Sequence, residues 1–146
     1  MNDGTYKDEA EIQEVVRKFE ECAYGLAEFT HGRHLTVACW YLCTAPPETA
    51  LARMREGLQH FIAHHGRQGY HETITRFWME LLGSVLGQLP GNTPNITKVN
   101  RALERYASKE ILFEYYSRER VMSDTARTHW IVPDLQPLVG SPSSLF

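Results

Sequence analysis

Apolar residues recur at helical spacing in four successive segments of this 146-residue chain, and this periodicity constrains the fold more than any other feature. The first segment, 8–24, carries one apolar stripe, with glutamates, Arg17 and Lys18 among its polar residues. Helical patterns return over residues 31–43, 46–65 and 70–89, and the first of these three is apolar nearly all round. Because short connections join the segments, we expect antiparallel neighbours and therefore an all-α fold, a four-helix up-down bundle.

The residues between these segments are of the types that start and stop helices. Thr30 stands where an N-cap accepts hydrogen bonds from the free N–H groups of the second helix. Pro46 and Pro47 are typical of a first helical turn, where a missing N–H does no harm. Gly66 is well placed as the C′ residue that ends the third helix. These signals support the same four helices.

The C-terminal third of the chain predicts additional short helices. A break at 90–94, with the sequence Pro-Gly-Asn-Thr-Pro, separates it from the bundle. Beyond the break, helical patterns cover residues 96–106, 109–116 and 123–130. The last residues are rich in proline, glycine and serine and offer little to bury. We therefore expect one helical domain over 1–138 and a flexible tail over 139–146.

Composition and charge exclude several classes of protein. Fifteen Lys and Arg against eighteen Asp and Glu give a net charge of -3 without a basic run, so we expect no nucleic acid partner. The N-terminus is polar and acidic, unlike a secretory signal, and the longest nearly apolar stretch, 35–43, is too short to cross a bilayer. We expect a cytoplasmic protein without a membrane partner. The cysteines Cys22, Cys39 and Cys43 lack CxxC spacing and predict reduced thiols.

Most of the histidines fall near one predicted end of the bundle. An up-down order brings together the start of the second helix, the end of the third and the start of the fourth. Six of the seven histidines lie in these places: His31, His34, His60, His64, His65 and His71. His31 and His34, at i and i+3, share one helix face, and His71 lies on the core stripe of the fourth helix. We expect these three imidazoles to converge.

Three convergent imidazoles are typical ligands of a divalent transition metal such as zinc, iron or copper. We predict a metal site made by His31, His34 and His71, with a fourth position left to water or substrate. The predicted function is a metal-dependent enzyme that activates water, oxygen or a substrate oxygen of a small molecule. Nearby helix N-termini disfavour imidazolium and keep the rings neutral, as metal ligation requires.

Four further side chains have chemistry that suits such a site, and we predict them as catalytic. Glu72 and Glu28 each lie within three residues of a predicted ligand, so either carboxylate can move protons or complete the ligand set. Tyr116 and Arg118 lie in a segment of phenols and guanidinium groups, which can orient an anionic substrate. Helix packing and a solvated charged face explain that segment equally well.

Two metal-free functions stay open beside the metal-dependent one. The polar end of the bundle can form a ligand pocket or a partner surface, as in a small-molecule binding or accessory module, with the histidines in a hydrogen-bonded, metal-free cluster. Alternatively, His71 and Glu72 can act as an acid–base pair. In each case the expected partner is a small molecule. The nearly all-apolar second helix also predicts that a homodimer can form.

Four short motifs stand out along the chain: Phe-Thr-His-Gly-Arg-His-Leu at 29–35, Tyr-His-Glu-Thr-Ile-Thr at 70–75, Tyr-Ser-Arg-Glu-Arg at 116–120 and Val-Pro-Asp-Leu at 132–135. Together they resemble a group of small uncharacterised bacterial helical proteins, over about Phe19 to Leu138. The resemblance implies a shared architecture, draws attention to the three predicted ligands and supplies no reaction. The bundle is also similar to the DinB-like bundles, which bind a metal through three histidines, but the ligand spacings differ and this likeness concerns the fold alone.

Overall fold

The computed structural model describes residues 5–138, and within that range the chain is helical and contains no strand. Eight α-helices follow in chain order: α1 (Glu9–Glu20), α2 (His31–Thr44), α3 (Pro47–His64), α4 (Glu72–Gly87), α5 (Asn95–Arg105), α6 (Leu112–Tyr115), α7 (Arg118–Val121) and α8 (Asp124–Thr128). A short 3-10 helix, Lys109–Ile111, leads into α6. The prediction of an all-α fold is confirmed.

Helix α2 lies at the centre of the fold and packs against α1, α3, α4 and α5. Its residues Leu35, Val37 and Cys39 are fully buried, as its nearly continuous apolar surface requires. Helices α1 and α3 also contact each other, as do α3 and α4. These pairings bury the four stripes that the sequence predicts. The up-down order of a four-helix bundle stays a prediction.

Side chains cap the starts of α2 and α4. The hydroxyl of Thr30 accepts a hydrogen bond from the backbone N–H of Arg33, as predicted for the start of α2. The fourth helix begins two residues later than the sequence predicts, at Glu72, because His71 is its N-cap. The His71 ring replaces the usual hydroxyl or carboxylate: its Nδ1 accepts from the N–H of Ile74 at 3.1 Å. At the end of α3, Gly66 adopts the left-handed conformation expected of a C′ residue, with φ +66°.

Residues 112–135, which we call the C-terminal segment, cross helix α4 and are fastened to it. The hydroxyl of Thr73 donates to the carbonyl of His129 at 2.7 Å and accepts from the N–H of Ile131 at 3.2 Å. The ring of Phe77 meets the ring of Tyr116 edge to face, with centroids 5.8 Å apart. Thr73 and Phe77 are both fully buried. They form the covered stripe of α4.

The covered stripe leaves two flanks of α4 beside it. Successive residues of an α-helix are about 100° apart, so residues four positions apart fall on nearly the same side. Ile74 and Trp78 therefore lie on one flank, and Glu72 and Arg76 lie on the other. The C-terminal segment passes between these flanks. Each of them forms part of the wall of a separate cleft.

Two further findings concern residues 5–138 as a whole. No helix in this range combines the length and the apolar character that a membrane span needs. The three cysteines are free thiols, of which Cys22 and Cys39 are buried and Cys43 is partly buried. The predicted flexible tail, 139–146, lies outside the described residues.

Candidate functional site

Two clefts open on the flanks of α4, one lined by histidines and the other by arginines. The first, which we call the histidine cleft, has a volume of about 560 Å³, and its walls include His31, His34, Ile74, Trp78, Phe113 and Arg118. The second, which we call the arginine cleft, has a volume of about 660 Å³, and its walls include Arg55, Tyr70, Glu72, Arg76, Arg127 and Trp130. Both volumes fall in the range that small-molecule sites occupy.

The two histidines at the start of α2 differ in their hydrogen bonding. His31 donates through Nε2 to the carbonyl oxygen of Tyr106 at 2.9 Å, and its ring meets the edge of Trp78. The partly buried ring of His34 stacks on Phe29, with centroids 5.5 Å apart, and hydrogen-bonds to no described residue. Burial, with a smaller contribution from His31, lowers the pKa of His34 to about 4. His34 is therefore a neutral ring that offers an acceptor nitrogen to the cleft at physiological pH.

His71 does not join these two histidines, because both of its ring nitrogens are engaged elsewhere. Its Nδ1 accepts from the N–H of Ile74, so the proton lies on Nε2, which donates to the carbonyl oxygen of Val121 at 2.7 Å. Burial lowers the pKa of His71, and the bond to Val121 opposes that shift. His71 thus fastens α7 to the start of α4. It lines neither cleft.

The predicted three-histidine ligand set is therefore not assembled in this conformation. Among residues 5–138, no three His, Cys, Asp or Glu side chains are grouped so that they could hold a metal ion. The rings near the start of α2 and the end of α3 instead form a chain of aromatic contacts, in the order His64, His65, Phe61, Phe29 and His34. This chain stacks ring faces and edges and does not gather nitrogen donors. His31 and His34 share one wall, as their spacing predicts, whereas His71 is engaged with Ile74 and Val121 and does not converge with them.

The two predicted carboxylates lie apart from the histidine cleft. Glu72 is held by the Nε and Nη2 of Arg55, at 2.9 and 2.6 Å, and by the hydroxyl of Tyr70 at 2.7 Å. The hydrogen bond from Arg55 is the main reason that the pKa of Glu72 lies below its usual value. Glu28 is exposed, and its carboxylate accepts from the N–H of Gly25. Neither carboxylate is placed to serve His34.

Of the other two predicted catalytic residues, one belongs to the core and one to the cleft. Tyr116 is fully buried, its hydroxyl donates to the carbonyl oxygen of Ile131, and burial raises its pKa. Tyr116 is therefore a core residue, and it lines neither cleft. Arg118 is exposed, lines the histidine cleft and stands over the ring of Phe113, with its guanidinium carbon 4.2 Å from the ring centroid.

The arginine cleft was missed by the sequence reasoning. Its parts come from α3, α4 and α8, and no periodic pattern connects them. Arg55 pairs with Glu72 across 17 residues, and Arg127 donates to the carbonyl oxygen of Gly69 across 58. Arg76 of α4 stands over the ring of Trp130 with its guanidinium carbon 4.5 Å from the centroid. Only the tertiary fold brings these groups together.

The chain was also compared with known proteins. No protein-family model, no curated protein and no solved structure matches it.

Proposed function

We propose that the histidine cleft binds a small molecule that has an apolar, ring-sized body and one hydroxyl or N–H group that donates to His34. One observation carries this proposal. His34 is a partly buried, neutral imidazole with no hydrogen bond to any described residue, and it lies on the wall of a cavity of about 560 Å³. No buried side-chain N or O atom of the described residues lacks a hydrogen-bond partner, so the nitrogens of His34 are in contact with the solvent of the cleft. A bound donor would replace water at this acceptor.

One part of the cleft wall suits an apolar body. Phe29, Ile74, Trp78 and Phe113 line it, and burial of apolar ligand surface against them contributes about 25 cal/mol per Å². The lining also contains polar and charged side chains, among them Lys109 and Glu110, so the aromatic and aliphatic residues form one part of the wall. Arg118 lies on the exposed part of the lining, where a guanidinium group interacts with solvent as well as with a ligand.

Binding fits His34 better than acid–base catalysis does. A general base works best when its pKa lies near the working pH. At a pKa of about 4, His34 is roughly a thousandfold weaker as a base than an imidazole that titrates near 7. The carboxylates predicted to move protons, Glu72 and Glu28, engage other partners. A weak base remains a good hydrogen-bond acceptor, so recognition is the role that this ring supports.

The metal-dependent reaction is the less favoured function in this fold. It requires His71 to release the N–H of Ile74 or the carbonyl of Val121, and each of these bonds fastens the start of α4. A metal-free acid–base pair of His71 and Glu72 meets the same obstacle. In addition, Arg55 holds Glu72 in the other cleft.

Phenol and anisole are matched probes for the proposed site. Both carry one aromatic ring, but only phenol has a hydroxyl donor. We expect phenol to shift the indole N–H resonance of Trp78 saturably and to bind about tenfold more tightly than anisole, because only phenol satisfies His34. The variant His34→Phe keeps the ring stacked on Phe29 and should remove the preference, whereas the same exchange at the exposed His60 should preserve it.

Three results would contradict the proposal. One is equal affinity of the wild-type protein for phenol and anisole, which would mean that His34 accepts nothing from a ligand. The other is the absence of any saturable shift at Trp78 with either probe. A shift that persists unchanged in His34→Phe would likewise place the bound molecule elsewhere.

A further inference from the structure

We infer that the arginine cleft is a second binding site, and that it takes a small molecule through an oxyanion, either a phosphate or a carboxylate group. Arg127 is the central residue of this inference. Its Nη1 donates to the carbonyl oxygen of Gly69 at a long 3.3 Å, and no carboxylate of residues 5–138 pairs with it. Its remaining N–H groups are therefore available at the cleft wall, in a planar fork that matches two oxygens of one anion.

The other two arginines of the cleft are already oriented by carboxylates of α4. Arg55 forms a forked pair with Glu72, and Arg76 donates through Nε to Glu80. Arg76 also lies over the ring of Trp130, which fixes the plane of its guanidinium group. Two guanidinium groups held in place by packing and ion pairs lose less side-chain entropy when a ligand binds. The third, on Arg127, supplies the unpaired charge.

The charge balance of the cleft favours an anion. The lining contains three guanidinium groups and one carboxylate, that of Glu72, and the carboxylate of Glu80 offsets Arg76 from beside the cleft. The phenol of Tyr70 stays protonated, because burial raises its pKa to about 12. One net positive charge therefore remains in a protein whose overall charge is -3. A positive cleft on a negatively charged chain attracts anions locally.

The size and walls of the cleft point to an anion that is part of a larger molecule. Its volume of about 660 Å³ is that of a small-molecule site, and Tyr70 and Trp130 supply aromatic surface beside the guanidinium groups. Helix α4 stands between this cleft and the histidine cleft. The inference therefore does not depend on what binds at His34.

The three tryptophans of the chain allow a direct test. Trp130 lines the arginine cleft, Trp78 lines the histidine cleft and Trp40 lines neither. We would titrate inorganic phosphate, and separately succinate, at constant ionic strength and follow the three indole N–H resonances. At least one of the two anions should shift Trp130 saturably while Trp40 stays in place. A response to phosphate alone assigns a phosphoryl ligand, and a response to succinate alone assigns a carboxylate.

Matched variants separate a built site from general charge attraction. Arg127→Gln should weaken the anion about tenfold, since a charge-assisted bond is lost, whereas the same change at exposed Arg101 on α5 should alter affinity by no more than about twofold. Arg127 makes only one long hydrogen bond, so this variant should fold. If it does not, the affinity for the anion is measured in Gln59→Glu, which adds a negative charge to the cleft without removing any arginine. Gln59→Glu should weaken binding more than its control, Gln13→Glu, which adds the same charge on an exposed face of α1.

Clear results would overturn the inference. It fails if neither anion shifts Trp130 saturably. It also fails if Arg127→Gln and Arg101→Gln weaken binding equally, or if Gln59→Glu has no more effect than Gln13→Glu. Any of these outcomes would mean that the anion responds to the charge of the whole protein and not to the cleft.

Discussion

The two clefts share a helix and a covering segment, yet they differ in chemistry. On one flank of α4, Ile74 and Trp78 face a neutral imidazole among aromatic rings. On the other, Glu72 and Arg76 face a set of guanidinium groups. The difference follows from helical spacing, because residues four apart share a side and each flank repeats its own residue type. One helix thereby presents an apolar wall and a charged wall at once.

The C-terminal segment makes this division possible. It covers Thr73 and Phe77 between the flanks, and it contributes Arg118 to the histidine cleft and Trp130 to the arginine cleft. Its attachments to α4 therefore set the shape of both clefts. Substitution of Thr73, which makes the attachment between the two flanks, should affect both sites, whereas substitutions on one flank should affect one site only.

The largest loss of stability is expected from Thr73→Val. This change weakens the attachment of the C-terminal segment to α4 and should therefore affect both clefts alike. This change keeps the side-chain shape but leaves the carbonyl of His129 and the N–H of Ile131 without their partner. We expect a loss of about 2–3 kcal/mol in the free energy of unfolding, measured with urea, and weaker binding at both clefts. Thr44→Val is the control, because its exposed hydroxyl bonds only to its own helix at Trp40. Loss of binding at one cleft alone would show that the segment is not shared.

Acid should destabilise the protein through His34. Its pKa falls from 6.5 to about 4 on folding, so the unfolded chain takes up a proton first as the pH drops. Stability from this source is complete above about pH 6.5 and declines toward pH 4, by at most about 1.4 kcal/mol per pH unit. The slope should be smaller in His34→Phe when urea unfolding is measured between pH 7 and 4.5. An identical slope in both proteins would mean that His34 is not buried as described.

A smaller effect is expected from His71→Asn. Asparagine retains an N-cap acceptor for α4 but cannot reach the carbonyl of Val121, so the cost should be about 1 kcal/mol. Because His71 lines neither cleft and the hydrogen bonds of Thr73 still hold the C-terminal segment, the affinity for phenol should stay within about twofold. Metal content, measured by elemental mass spectrometry, should not depend on this residue. If the wild type contained one equivalent of zinc, iron or copper and His71→Asn lost it, the prediction of a three-histidine metal site would be supported instead.

The smallest change in stability is expected from Glu72→Gln. This change should alter binding at the arginine cleft and leave binding at the histidine cleft unchanged. The pair with Arg55 is partly exposed, so its loss should cost less than about 1 kcal/mol. Removing the one carboxylate of the arginine cleft should strengthen anion binding by roughly threefold or more, because a repulsive negative charge is lost while the amide oxygen of glutamine can still accept from Arg55. Phenol binding at the other flank should be unchanged. Weaker anion binding would mean that Arg55 must be held by Glu72 in order to act.

Local features of the fold were predictable from the sequence. The apolar periods gave the long helices, and the hydroxyl of Thr30 and the glycine at 66 marked helix ends because their roles depend on neighbouring residues alone. The role of His71 was not predictable in this way. An imidazole is an uncommon N-cap, and the position of His71 on the inward stripe therefore suggested a metal ligand. In the structure its Nδ1 caps helix α4.

The candidate site was predictable only in part, for a related reason. His31 and His34 share a helix face, and their i, i+3 spacing was enough to place them together on one wall. The partners of Glu72, by contrast, depend on how α3 packs against α4, which brings Arg55 to it. The position of Arg127 depends on the path of the C-terminal segment. Long-range pairs of this kind leave no periodic pattern in a single sequence.

The most direct test of the account is one titration series on protein with labelled tryptophan indoles. We predict that phenol shifts Trp78 and leaves Trp130 in place, that an oxyanion shifts Trp130 and leaves Trp78 in place, and that Trp40 responds to neither. That result would establish two chemically distinct sites on the flanks of α4. Phenol and the anion acting on the same tryptophan, or no saturable shift at either cleft, would contradict it.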